Sequence, residues 1–232
     1  MNKIGITIND NNITFFVANP RSANGVVTET YDINKSISVA ANLREAFNSS
    51  AIMGKDLSEA LIIIDSLIML VPIEEKQNDL EALFRHTFQS SNRPVIIATD
   101  VIEELNAIAV FSVDKDVNTV INDHFKKIIF TPAGKEVWLE MRKQETLGTK
   151  TLFANFRYDK MEVFCFHHNR FGYFNTFNTV HAQDALYYIM SVWKQLAMDP
   201  LHDQLYIIGE PAQEEWLIQQ LQQYIKHAHH NR

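Results

Sequence analysis

The sequence predicts an α/β fold made of two similar halves, each a mixed sheet with helices on both faces. Three observations carry this. First, "IGITINDNNITFFV" at residues 4–17 and "TLFANFRYDKMEVFCFHH" at 151–168 both read as alternating apolar runs around a polar turn. Second, each pair leads into another alternating run, a helical pattern and an apolar strand, and a meander followed by crossover helices gives a mixed sheet. Third, 232 residues suffice for two domains of about 100 residues each.

In the first half, "KIGITI", "NITFFVA" and "GVVTETYD" alternate at period two between Asn, Asp, Pro and Gly, the pattern of antiparallel strands joined by turns. A helix over "SISVAANLREAFNSS" places Ile37, Ala40, Ala41 and Phe47 near one face, and "ALIIID" is the next strand. "EEKQNDLEALFRHTF" repeats at Leu80, Leu83, Phe84 and Phe88, the spacing of a helix with one buried stripe. Strands "PVIIA" and "AIAVFSV", a short helix near Val117 to Phe125, strand "KKIIFT" and a helix from Gly134 to about Gln144 complete this half. The predicted first domain is 1–147, with extra elements near 66–125.

Gly148 in "TLGTK" is the expected hinge, because glycine tolerates backbone angles that other residues avoid. The second domain, 148–232, restarts with strands "TLFANF", "MEVFCFHH" and "FGYFNTFN". A helix then carries Ala182, Leu186, Ile189, Trp193 and Leu196 on one side, followed by strand "QLYIIG". A helix over "QEEWLIQQLQQYI" is expected to bury Leu217, Leu221, Tyr224 and Ile225. "KHAHHNR" reads as a polar tail, so this half is expected to lack its closing strand, leaving a sheet edge beside "LYIIG" open to another chain.

The net charge of −7 is spread along the chain without a run of Lys or Arg, which argues against a nucleic acid partner. Cys165 is the sole cysteine, so no internal disulfide forms. "MNKIGITINDNN" turns polar too early for a signal peptide, and "ALIIIDSLIMLVPI", interrupted by Asp65 and Pro72, is too short to span a bilayer. The expectation is a cytoplasmic protein without membrane insertion.

The repeated order of elements, with "YFNTFNTVHAQDALYYIMSVWKQL" and "LYIIGEPA", resembles the actin-like ATPase superfamily of ribonuclease H-like topology. The resemblance is to the bacterial homologues of type IV pilus assembly and cell division, and more closely to a bacterial family of unknown function with that fold. It implies a nucleotide site between the two first hairpins, each bearing an aspartate, a glycine and hydroxyl residues. Carboxylates there hold Mg²⁺, and glycine lets backbone N–H groups reach the phosphates.

Laid on that pattern, the aspartate positions fall on Thr7 and Asn155 and the glycine positions on Asn9 and Arg157. Asp10, Asn11 and Asn12 stand at the hydroxyl positions of the first hairpin; Tyr158 and Asp159 follow Arg157 in the second. In "LYIIGEPA" Gly209 survives from the superfamily's paired glycines, but Glu210 and Pro211 replace its neighbours. A carboxylate at Glu210 repels phosphate, and Pro211 has no N–H to offer. The resemblance therefore implies degenerate cleft positions at Thr7, Asn9, Asp10, Asn155, Arg157, Asp159, Gly209 and Glu210, no catalytic residue, no metal and no cofactor.

Asp10 and Asp159 could replace the lost metal ligands, but turns favour Asp for local reasons. Cys165 beside His167 and His168 suggests a nucleophile, yet its alternation with Met161 and Val163 predicts a buried thiol. His227, His229 and His230 lack metal-ligand spacing, and the pairs at Glu74, Glu103 and Glu214 point apart on a helix. A nuclease of the same topology needs carboxylates where Thr7 stands. The expected function is a noncatalytic scaffold or adaptor with a protein partner; the competing expectation is an ATPase or phosphotransferase with an atypical site at Asp10, Arg157, Asp159 and Gly209.

Overall fold

A computed structural model describes residues 3–19, 25–54, 57–88, 94–144, 149–167 and 170–231. Gly148 and His168, singled out above, lie outside these residues. Contacts divide the chain into two units, Met1–Ile102 with Ile108–Glu136, and Glu103–Ala107 with Val137–Arg232.

The first unit holds a five-stranded sheet. Its strands are β1 (Lys3–Ile8), β2 (Asn12–Ala18), β3 (Val26–Asp32), β4 (Glu59–Ile64) and β8 (Lys127–Pro132), in the order β3-β2-β1-β4-β8. The meander is antiparallel, whereas β4 and β8 join β1 in parallel. Helices α1 (Val39–Ser49) and α3 (Lys115–His124) pack together. Ile6 stands opposite Phe15 and Ile8 opposite Ile13, so these buried side chains share one face of the sheet, where Phe15 stacks on Phe47 of α1. Ser38 caps α1 by accepting from the Ala41 N–H, and buried Asn42 on that helix receives the Asn34 N–H and donates to the Asn34 and Ser38 carbonyls.

The extra elements form a separate small layer in the same unit. Strands β5 (Ile68–Pro72), β6 (Val95–Ile102) and β7 (Ala107–Asp114) are ordered β5-β7-β6, and α2 (Leu80–Thr87) shares their core of Val71, Phe84, Ile108 and Val110. Two expectations are corrected here. The predicted helix over 74–88 is a 3-10 turn at Ile73–Gln77 and then α2, because Asp79 accepts from the Ala82 N–H and starts the helix there. Leu83, expected in the buried stripe, is exposed, since the small core takes only Leu80, Phe84 and Phe88 from this stretch. Asp100 of β6 receives Thr131 Oγ1 at 2.6 Å and Lys135 Nζ at 2.8 and 3.0 Å, tying this layer to β8 and to the start of α4 (Lys135–Arg142).

The second unit repeats the first sheet. Strands β9 (Thr151–Arg157), β10 (Lys160–His167), β11 (Arg170–Asn178), β12 (Gln204–Ile208) and β13 (His227–Asn231) lie in the order β11-β10-β9-β12-β13. Strand directions match as well: an antiparallel meander with two parallel additions. Helices α5 (Ala182–Gln195) and α6 (Glu214–Gln222) cover one face, burying Leu152, Ala154, Met161, Val163 and Cys165. The thiol is therefore a core group, as alternation predicts. The opposite face is aromatic, with Phe153, Phe164 and Phe166 buried and Trp138 of α4 set edge-on to Phe174 at 5.4 Å.

The missing closing strand is present. Residues expected to form a polar tail are β13, paired in parallel with β12 from Gln204↔His227 to Ile208↔Asn231. The edge beside "LYIIG" is thus filled by this chain itself. Tyr224 is exposed rather than buried, because α6 ends at Gln222 and Tyr224 sits in the turn that delivers β13. Among the described residues no helix is long and apolar enough to cross a membrane.

Candidate functional site

The first hairpin turns between β1 and β2 through Asn9, Asp10, Asn11 and Asn12. Asn9 is 8% exposed and its carboxamide organises the turn. Asn9 Oδ1 accepts the backbone N–H of Asn11 at 2.8 Å and of Asn12 at 2.9 Å, while its Nδ2 donates to Asn12 Oδ1 at 2.9 Å. Both turn amides, groups that can bind an anion when they are left open, are thus taken by a neutral side-chain oxygen. Thr7 lies opposite Thr14, and Asp10 is exposed at the tip. Two residues before Thr7, the Phe16 ring lies over Gly5 so closely that a Cβ there would meet it at 1.9 Å.

In the second hairpin Asn155 holds the register position that Thr7 holds in the first, and Arg157 that of Asn9. The turn is Tyr158–Asp159, with Tyr158 at φ +57°, and the Asp159 carbonyl accepts the Thr179 N–H at 2.7 Å. Directly opposite Asn155 stands Glu162, a side chain that the sequence reading passed over. It is 3% exposed. Its Oε2 accepts Trp138 Nε1 at 3.2 Å and Asn155 Nδ2 at 3.3 Å, and its Oε1 accepts Arg157 Nη2. A buried carboxylate persists only where charge and hydrogen bonding both compensate it, and this cluster provides the two together. A signal was available: a lone Glu in "MEVFCF", a run apolar on both faces, needs a cation nearby, and Arg157 lies just across the turn.

At the end of β12, Gly209 has φ +79°, and a Cβ on it would lie 2.4 Å from the Phe156 carbonyl oxygen. Glycine is required here because the chain passes directly beside the tip of β9. The Gly209 carbonyl accepts from His230 Nε2 at 3.1 Å, and His230 Nδ1 lies 3.0 Å from Glu214 at the start of α6. Glu214 is therefore partnered by β13 instead of being a merely solvated helix start. Glu210 is exposed and Pro211 buried. Among the described residues no group of three or more His, Cys, Asp or Glu side chains is arranged to hold a metal ion.

The protein family of unknown function DUF3822 matches residues 1–228 of this chain. The chain belongs to DUF3822. No curated protein matches this DUF3822 chain. Among solved structures, it is similar to a Bacteroides thetaiotaomicron VPI-5482 protein with actin-like ATPase fold and unknown function, at TM-score 0.86 and 23% identity, over 99% of this chain and 90% of that one. It is also similar to a chain of the PilM–PilN type IV pilus biogenesis complex, at TM-score 0.55 and 8% identity, over 100% of this chain and 88% of that one. This DUF3822 protein has the actin-like ATPase fold, and its repeated sheet is the form that fold takes here.

Proposed function

We propose that this DUF3822 protein is a noncatalytic scaffold or adaptor acting in the bacterial cytoplasm through a protein partner. The observation that carries the reading is the state of the two hairpins. Asn9 Oδ1 takes the turn amides of the first, and Glu162 takes the guanidinium of the second. Both groups that could meet a phosphate are engaged from within the chain. Glu210 and Pro211 after Gly209 support the same reading by charge and by the lack of an N–H. The PilM–PilN type IV pilus biogenesis complex supports a protein partner by analogy of fold, because the similar chain is named as part of a complex.

Thermal unfolding with and without Mg-ATP tests the proposal. A nucleotide present at about 100 times its dissociation constant stabilises a fold by about 2.7 kcal/mol. The expected result is an unchanged midpoint. An upward shift that Asp10→Ala or Asp159→Ala abolishes would overturn the scaffold in favour of an atypical ATPase or phosphotransferase.

A further inference from the structure

We propose that the second hairpin is a carboxylate-binding site whose resident ligand is the chain's own Glu162. This rests on the noncatalytic reading above and deepens it, since it names what replaces an external anion in that hairpin. The donors come from separate places: Trp138 from α4, Asn155 from the middle of β9 and Arg157 from its end. Oε2 is held by an indole N–H and a carboxamide N–H, and Oε1 by a guanidinium, so both oxygens are addressed. Such a set suits a carboxylate, which accepts through both oxygens and carries the charge that a guanidinium matches.

The strand register makes the arrangement independent of any bound molecule. Asn155 and Glu162 are direct partners in the β9–β10 ladder, so the backbone sets the carboxylate beside its donors as soon as the hairpin forms. Arg157 is then drawn inward, its side chain 23% exposed, instead of reaching into solvent from the turn. The first hairpin has the neutral counterpart of the device, with Asn9 Oδ1 as the built-in acceptor. Cutting the side chain back to Cβ in Glu162→Ala removes a fragment about the size of acetate and leaves the donors in place. The variant should therefore bind small monocarboxylates that the native protein has no room for.

The test compares native protein, Glu162→Ala, and Glu162→Ala combined with Arg157→Met in sodium acetate, sodium formate and sodium chloride of equal ionic strength. Glu162→Ala should unfold at lower temperature than native protein and recover part of the loss, saturably, in acetate and formate but not in chloride. The recovery should vanish in the double variant. Equal effects of acetate and chloride, or undiminished recovery without Arg157, would overturn the proposal. If Glu162→Ala does not fold, Glu162→Gln replaces it, with the Arg157 Nη hydrogens followed by NMR. The amide should shift that signal and speed its exchange with water, and an unchanged signal would overturn the assignment. Mg-ATP stabilising native protein would sink the noncatalytic reading while leaving carboxylate rescue to stand or fall separately.

Discussion

The α-carbon of Gly209 passes so near the Phe156 carbonyl that a Cβ would lie 2.4 Å from its oxygen, and Gly209 holds φ at +79°. Two penalties follow for any side chain there: a left-handed backbone and a collision with main chain that cannot rotate away. Gly209→Ala should lower stability by at least about 2 kcal/mol in urea denaturation. Gly25 provides the control, because φ is +69° but nothing lies within 4 Å of its added Cβ. Gly25→Ala should cost only the conformational part, about 1 kcal/mol. Equal effects of the two substitutions would refute the role assigned to the Phe156 contact.

Asn9 ties its own turn together, so Asn9→Ala should cost about 1 kcal/mol by taking the side-chain acceptor from the Asn11 and Asn12 amides. Hydrogen exchange at those two amides should accelerate more than at the neighbouring strand positions. Exchange that stays slow at both would show that the turn does not depend on the carboxamide.

Glu29 on β3 carries a pH dependence. Its pKa lies below the ordinary value of 4.5, chiefly because the Ser50 hydroxyl donates to it at 2.6 Å, with burial opposing and the Tyr31 hydroxyl adding to the effect. A carboxylate with a lowered folded-state pKa contributes its stability in full above the ordinary value and loses it as pH falls through the lowered one. Ser50→Ala removes the main cause. Its urea midpoint should therefore fall less steeply than that of native protein on acidification below pH 4.5. Parallel curves would exclude the contact as the source.

Lys150 closes the end of α5 by donating from Nζ to the carbonyls of Leu196 and Ala197 at 2.9 and 3.1 Å. A cation at this helix end meets both unsatisfied carbonyls and the negative end of the helix dipole, so Lys150→Met should cost about 1 kcal/mol. Asp203 is 7% exposed and accepts the backbone N–H groups of Lys150 and Asp199. Asp203→Ala should cost more, about 1–3 kcal/mol, since it removes a charged acceptor from two amides at once, and hydrogen bonds to charged groups are the stronger kind. Chemical denaturation of both variants gives the ranking, and the reverse order would contradict it.

The elements that bury a full side were legible because their side chains carry the period. β1 and β2 alternate, β9 and β10 are short apolar runs bounded by polar turns, and α1 and α5 repeat at helical spacing, so each could be placed without its neighbours. β13 was not legible. It is an edge strand with the sequence "HAHHN", held by one ladder to β12 and by His230 to Gly209, and those bonds involve backbone and imidazole groups that leave no apolar pattern. The break before α2 was hidden for another reason, since Asp79 in "QND" reads equally well as a polar helix residue until its carboxylate is seen to accept from Ala82. In the hairpins, Asn9 and Arg157 could be singled out by position, but Glu162 could not be joined to Trp138 because the link crosses from β10 to α4.

Read as a string, the 232 residues determined that two similar α/β halves would form and that Asn9 and Arg157 would stand at the ends of the first strands of the two hairpins, because side-chain identity and local period belong to the chain itself. Tertiary structure decided where each polar group found its partner. It closed the second sheet with β13, set Gly209 against Phe156 and buried Glu162 among Trp138, Asn155 and Arg157. The physical reason is that these outcomes depend on compensating backbone and charge across long sequence separations, which only the completed packing brings within bonding distance.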